Sequence, residues 1–217
     1  MKKVLALITA LVLAISLCAC GKKDIRGKIS GENGGDEVEF SLGVVDGLTY
    51  ENAFIGLGCT LDSDWSFYSD EQIRELNNVL TDIAGDEYVE MMKNADIVYD
   101  MYATDSSGTN ILNVNLEKVN FLQLAVLDVG EALEGQVPAL VDTLVNIGYH
   151  NVNCVRTTVI VGDEEYDAIK ASSEFGDAKM YETIFAKKCS GYLANITVAT
   201  YQDDTTEELI GKFYNID

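Results

Sequence analysis

The spacing of apolar side chains changes several times along the chain, and each change marks a new element. Residues 42–50 and 54–61 read as strands, the second carrying Gly56 and Gly58, which point to a bend or a close backbone approach. Ser69-Asp70-Glu71-Gln72 is a capping-box pattern, after which Ile73, Leu76, Leu80 and Ile83 recur at helical spacing up to Gly85. Residues 86–94 read as a second, shorter helix. From Ile97 the period drops to two: Ile97, Tyr99, Met101 and Ala103 alternate with more polar neighbours, Ser106-Ser107-Gly108-Thr109 makes a turn, and Leu112, Val114 and Leu116 alternate with Asn113, Asn115 and Glu117. This predicts a hairpin with one polar face.

Residues 128–147 read as a helix with Leu140, Val141, Leu144 and Val145 on one face. Pro138 is expected to interrupt or restart it, and Gly148 to cap its end. Four strand-like stretches follow, at about 151–161, 164–173, 178–188 and 191–201, separated by Gly162-Asp163, Gly176-Asp177 and Ser190-Gly191. Connections this short imply an antiparallel meander. Thr205-Thr206-Glu207-Glu208 then opens a last helix with Leu209, Ile210 and Phe213 on one face. This order predicts an α+β fold, one antiparallel β-sheet covered by helices.

The start of the chain follows a different logic. Met1-Lys2-Lys3 is basic, and residues 4–17 form an apolar run too short for a comfortable membrane span, which needs about 20 residues. It fits the core of an export signal. Leu17-Cys18-Ala19-Cys20-Gly21 then resembles a bacterial lipobox, with a leucine three before the modified cysteine and a small residue at the cut. Cys20 is therefore the expected lipid attachment site, since Cys18 would place Leu17 where a small residue is needed. The expected organisation is a lipoprotein signal peptide over 1–19, lipidated Cys20 with a flexible tether over 20–40, and a single α+β domain over 41–217. A Gly- and charge-rich tether of about 20 residues would hold the domain some 25 Å from its lipid, on the outer face of the bacterial cytoplasmic membrane.

Composition narrows the partners. The chain has 15 Lys and Arg against 36 Asp and Glu, a formal net charge of −21, which becomes −23 once Lys2 and Lys3 are removed. Such a charge repels phosphates, so neither nucleic acid nor electrostatic docking on anionic lipid is expected. Membrane attachment must come from the lipid.

The run Tyr50-Glu51-Asn52-Ala53-Phe54-Ile55-Gly56-Leu57-Gly58-Cys59-Thr60-Leu61, with Trp65 and Ser69-Asp70-Glu71-Gln72-Ile73, resembles the start of lipoproteins of unknown function from clostridia and related Gram-positive bacteria. Residues 113–117 and 194–198 extend the likeness, and the element order is similar to the PsbP/DcrB-like α/β/α sandwich. The resemblance spans about 165 residues and contains no catalytic motif. It implies an extracytoplasmic binding or assembly factor, and it supplies no site residues.

Catalytic chemistry is poorly provided for. His150 is the only histidine and sits just past Gly148, where an imidazolium suits a helix C-terminus. No Gly-x-Ser-x-Gly elbow is present. Cys59, Cys154 and Cys189 lack zinc-ligand spacing; they allow at most one disulfide within the molecule, and all three pairings are open. Gly56-Leu57-Gly58 lacks the further glycine and lysine of a phosphate cradle. Asp62-Ser63-Asp64 and Asp203-Asp204 offer hard oxygens, but neither has calcium-loop spacing, and both read as a turn and a helix start. No enzyme activity, metal or cofactor is expected. The alternative is an extracytoplasmic hydrolase using paired carboxylates, which sequence cannot locate among so many acids. Trp65, Phe67 and Tyr68 combine apolar area with polar tips between a strand and a helix start. They are the candidate binding residues for an envelope protein, a peptide or a small ligand, although Trp65 and Phe67 equally fit one end of a core.

Overall fold

The computed structural model describes residues 39–79 and 85–216. The expected signal peptide, Cys20 and most of the expected tether therefore lie outside the described residues, as do Leu80 and Ile83 of the first predicted helix. Phe40, within the stretch read as tether, is buried, with its ring 5.0 Å from Tyr192 and 5.2 Å from Phe54.

Eleven strands and five helices are described, in the order β1 (Val44–Asp46), β2 (Thr49–Asn52), β3 (Leu57–Thr60), β4 (Trp65–Phe67), α1 (Asp70–Leu76), α2 (Asp86–Asn94), β5 (Ile97–Asp105), β6 (Ile111–Lys118), α3 (Phe121–Val126), α4 (Val129–Asn146), β7 (His150–Val161), β8 (Glu164–Phe175), β9 (Ala178–Cys189), β10 (Tyr192–Tyr201), α5 (Thr206–Ile210) and β11 (Phe213–Asn215). Strand outweighs helix. All strand pairs are antiparallel, in a seven-stranded sheet ordered β4-β5-β6-β10-β9-β8-β7 and a four-stranded sheet ordered β1-β2-β3-β11.

The second sheet departs from the expectation of one sheet covered by helices. Its members are short, and Phe213, read as part of the last helix, instead begins β11: the helix ends at Ile210, and Phe213, Tyr214 and Asn215 pair with Cys59, Gly58 and Leu57. Gly56 supplies the positive φ of the turn into β3, while Gly58 supplies close approach, because a Cβ there would lie 2.5 Å from the Tyr214 ring. On one face of the large sheet, Val98, Val114, Leu116, Ile196 and Phe185 share a core with Tyr50, Leu57 and Cys59 of the small sheet and Leu209 and Ile210 of α5. On the other face, Leu133, Leu140 and Leu144 of α4 pack with Ile169, Ile184 and Leu193, and Ile73 and Leu76 of α1 pack on Tyr102, Ile111 and Ala199.

Two further expectations are corrected. The β5–β6 hairpin has no solvent face: Asn113, Asn115 and Glu117 are 0%, 1% and 3% exposed, because helices pack over that side of the sheet, α1 against Ile111 of β6 and α3 and α4 against the neighbouring β10. Asn195 Nδ2 donates to Asn115 Oδ1 at 3.2 Å, so part of this buried polar row satisfies itself. Pro138 neither breaks nor restarts its helix. Leu133 before it and Leu140 and Leu144 after it are all buried on the sheet, and that packing keeps both halves in line despite the missing N–H. The capping box at Ser69 forms in both directions, with Gln72 N donating to Ser69 Oγ and Ser69 N donating to Gln72 Oε1.

Candidate functional site

Strand β4 pairs with β5 only at Ala103, Thr104 and Asp105, so the remaining outer edge of β5 must find other partners. Two local devices provide them. Tyr68 N donates to Tyr102 O at 2.8 Å, and the Asn77 side chain bridges Tyr99, its Oδ1 accepting from Tyr99 N and its Nδ2 donating to Tyr99 O, both at 2.8 Å. Asn77 thus imitates one rung of a missing strand. Between the two clamps the register shifts by a bulge, Tyr99 facing Asn115 and Met101 facing Val114 with Asp100 inserted. Bulges re-aim side chains at sheet edges, and here Asp100 is turned into the seam between the two sheets.

Asp100 is buried and accepts three hydrogen bonds: from Gly43 N at 2.8 Å, from Asn52 Nδ2 at 2.7 Å and from the Tyr50 hydroxyl. Burial raises its pKa, and these donors oppose the rise. Every donor comes from the small-sheet side, so the carboxylate acts as a knot between the sheets.

Over the bulge lies a cavity of about 240 Å³, walled by α1, by the start of α2 and by Leu42 and Val45. Its polar lining is one cation, Arg74, two carboxyls, Asp70 and Asp100, the latter already accepting from Gly43, Asn52 and Tyr50, and the phenols Tyr68, Tyr88, Tyr99 and Tyr102. The Arg74 guanidinium carbon lies 5.1 Å from the Tyr88 ring centroid, and Arg74 Nε is buried without a hydrogen-bond partner. Among the described residues Arg74 makes no ion pair, in a chain with more than twice as many acids as bases. Tyr102 is 3% exposed, its hydroxyl has no partner, and its ring centroid lies 4.4 Å from that of Tyr68. Burial pushes the Tyr102 phenol well up, so it stays protonated and able to donate.

A wider groove of about 680 Å³ adjoins this cavity and shares Val45, Tyr68 and Asp70 with it. It contains the three aromatic residues singled out in the sequence. Trp65 is 7% exposed and part of the main core, Phe67 packs against that core, and Tyr68 lines both spaces. Val45 and Leu48, 43% and 37% exposed, form the opposite wall. Sequence reading missed Arg74, Tyr88, Asp100 and Tyr102. The capping box located the helix that carries Arg74, but no local signal marks which helical cation will lie over a ring from the next helix.

The other candidates are dispersed. His150 begins β7, with Nε2 3.4 Å from the Glu174 carboxylate. Cys59, Cys154 and Cys189 are all free thiols, and burial pushes them up to about 12, about 11 and about 12, which suppresses the reactive thiolate. Asp62 accepts from Lys212 Nζ at 2.6 Å, and Asp204 from Lys170 Nζ and Thr206 Oγ1 at 2.9 and 2.8 Å. Buried carboxyls do occur, at Asp100, Glu117 and Glu182. Asp100 and Glu182 stand on β5 and β9, three strand spacings or about 14 Å apart across the sheet, beyond the separation used by paired-carboxylate hydrolases.

No family model matches the chain, and no curated protein matches it. Among solved structures it is similar to the crystal structure of LpqN, involved in cell envelope biogenesis of Mycobacterium tuberculosis, with 8% identity and a TM-score of 0.37 over 74% of this chain and 83% of that one. A likeness of that size transfers neither a role nor site residues.

Proposed function

We propose that this chain is an exported lipoprotein, anchored through Cys20 to the outer face of the bacterial cytoplasmic membrane, whose folded part is a non-catalytic binding module. The lipobox supports the anchor, and the antiparallel sheet with helices is compatible with a variant of the PsbP/DcrB-like sandwich in which a small sheet replaces helices on one face. The binding reading rests on one observation: the cavity beside the β5 bulge is lined both by Arg74, whose Nε is buried and unbonded among the described residues, and by buried Tyr102, whose hydroxyl is likewise unbonded.

Desolvated donors without acceptors are costly, and a ligand that supplies acceptors recovers that cost. A carboxylate suits a guanidinium fork better than any neutral group, and the phenol rings provide an apolar slot for the rest of the ligand. The cavity is large enough for a small carboxylic acid or the end of a peptide. Calorimetric titration of the full chain with a panel of N-acetyl amino acids and their amides tests this. Binding of an acid but not of its amide, weakened about 10- to 100-fold by Arg74→Met, is the expected result. Equal binding of acid and amide, or no effect of Arg74→Met, would refute the site.

A further inference from the structure

The seven-stranded sheet ends on β7, a strand of 12 residues whose outer edge carries no backbone hydrogen bonds to any described residue. The contact made there by another element comes at its last residue, where Asn215 Nδ2 donates to Val161 O at 3.0 Å. Long free edges invite pairing, and proteins usually blunt them with lysine, proline, bulges or a cover. β7 has a register shift only between His150 and Asn153, and from Asn153 to Val161 its pairing with β8 is regular. That stretch, Asn-Cys-Val-Arg-Thr-Thr-Val-Ile-Val, contains neither lysine nor proline and is rich in β-branched residues. Its one charge, Arg156, is turned onto the helical face, where it meets Asp167 at 3.0 Å and Glu134 at 3.5 Å.

We propose that the outer edge of β7 pairs antiparallel with the same edge of a second copy of this chain, joining two seven-stranded sheets across a two-fold axis. Charge selects the occupant. No acidic residue lies in β7 and its one charged side chain is the cation Arg156, so two strongly negative molecules can pair here without setting carboxylates against each other on the joined strands. Pairing of identical antiparallel strands is self-complementary and closes at two copies, which removes the free edge instead of propagating it.

Side-chain faces fix the register. Val155, Thr157 and Val159 alternate with Cys154, Arg156 and Thr158, and directly opposite residues must share a face. Centring the axis on Arg156 would oppose two like charges, which is unfavourable. Centring it on Thr157 sets Val155 against Val159 of the second copy and Arg156 against Thr158, and pairs Cys154 to Ile160, the part of the edge clear of Asn215. A cleft of about 310 Å³ lies beside this edge, lined by Thr157, Val159, Ile160 and Ile210, and offers apolar surface next to the joined strands.

Sedimentation equilibrium of the full chain in neutral detergent should give the mass of a dimer. In a Cys154→Ala background, Thr157→Cys should cross-link to itself under mild oxidation. Val155→Cys and Val159→Cys should cross-link when mixed and remain largely single when alone. Thr157→Glu, which opposes two carboxylates on the axis, should weaken the dimer at least about tenfold while the circular dichroism spectrum stays that of the parent. A monomer at every concentration, or cross-linking of Thr157→Cys no faster than of a cysteine placed at exposed Glu165, overturns the proposal, even if an unrelated extended peptide adds to the same edge.

Discussion

Tyr50 and Asp100 meet in the seam between the two sheets, the phenol of β2 donating to the carboxylate that the β5 bulge turns inward. Tyr50 is 0% exposed, so its phenol has no water to fall back on. Asp100→Asn keeps the shape but replaces one acceptor oxygen with a donor, which faces either Gly43 N, at the Oδ1 position, or Asn52 Nδ2 and the Tyr50 hydroxyl, at the Oδ2 position. Urea unfolding should show a loss of about 2–4 kcal/mol. Gly43→Ala should reproduce much of this loss, because its Cβ would lie 2.2 Å from Cε2 of the immobile Tyr50 ring. Unchanged unfolding midpoints in both variants would show that the small sheet is held without this knot.

Glu182 sets a pH dependence of its own. It is 3% exposed on β9, between Ala171 of β8 and Ala199 of β10, and burial alone pushes its carboxyl up to about 7. In the unfolded chain it ionises near 4.5. Between those values the folded state retains a proton that the unfolded state has lost, so stability falls as pH rises through this window and levels off above it. A gap of this size corresponds to roughly 3 kcal/mol. Glu182→Gln should match wild type at pH 4 and exceed it by an amount that grows up to about pH 7 and is constant by pH 8. An advantage that does not change between pH 5 and pH 8 would contradict this.

Trp65 and Tyr68 are close in sequence and should behave differently. Trp65→Ala empties a place in the main core and is expected to cost about 3–5 kcal/mol, enough to unfold a marginal domain. Tyr68→Ala removes a half-buried ring that lines both cavities. It should fold, melt slightly lower and bind the N-acetyl acid probe at least several-fold more weakly. A Tyr68→Ala variant with unaltered probe affinity would move the site away from this ring.

The four-strand meander after Gly148 was legible because its apolar period and its Gly-containing turns agree with each other, and the observed bounds differ from the expected ones by one or two residues. Helix α2 was legible from Gly85 at its start and from the change to a period of two at Ile97 after its end. The small sheet was not, because strands as short as Val44–Asp46 and Phe213–Asn215 carry too few residues to show a period, and their pairing joins the two ends of the domain. Asn113, Asn115 and Glu117 misled because alternation reports a solvent face only when nothing packs on it, and that depends on helices remote in sequence. The candidate site failed on similar grounds. Trp65, Phe67 and Tyr68 were visible as a local aromatic cluster, whereas Arg74 over Tyr88 and the Asp100 bulge are juxtapositions that only the fold creates.

Asn77 links the edge of β5 to the binding reading, since the amide that bridges Tyr99 N and Tyr99 O also donates from Nδ2 to the Tyr88 hydroxyl at 3.3 Å. It therefore holds the end of α1 against the strand and positions the ring beneath Arg74. Asn77→Ala should cost about 1–2 kcal/mol in unfolding free energy and increase amide exchange at Tyr99 much more than at Leu112 inside the sheet. Because the guanidinium loses its fixed platform, affinity for the carboxylate probe should fall as well, without any contact between Asn77 and the probe being removed. Asn77→Asp separates the two effects: its carboxylate still accepts from Tyr99 N and can accept from the Tyr88 hydroxyl, but it sets an oxygen against Tyr99 O, so unfolding free energy should fall while probe binding is better kept than in Asn77→Ala. Wild-type probe binding in both variants would show that the cavity is held open by α1 and α2 packing alone.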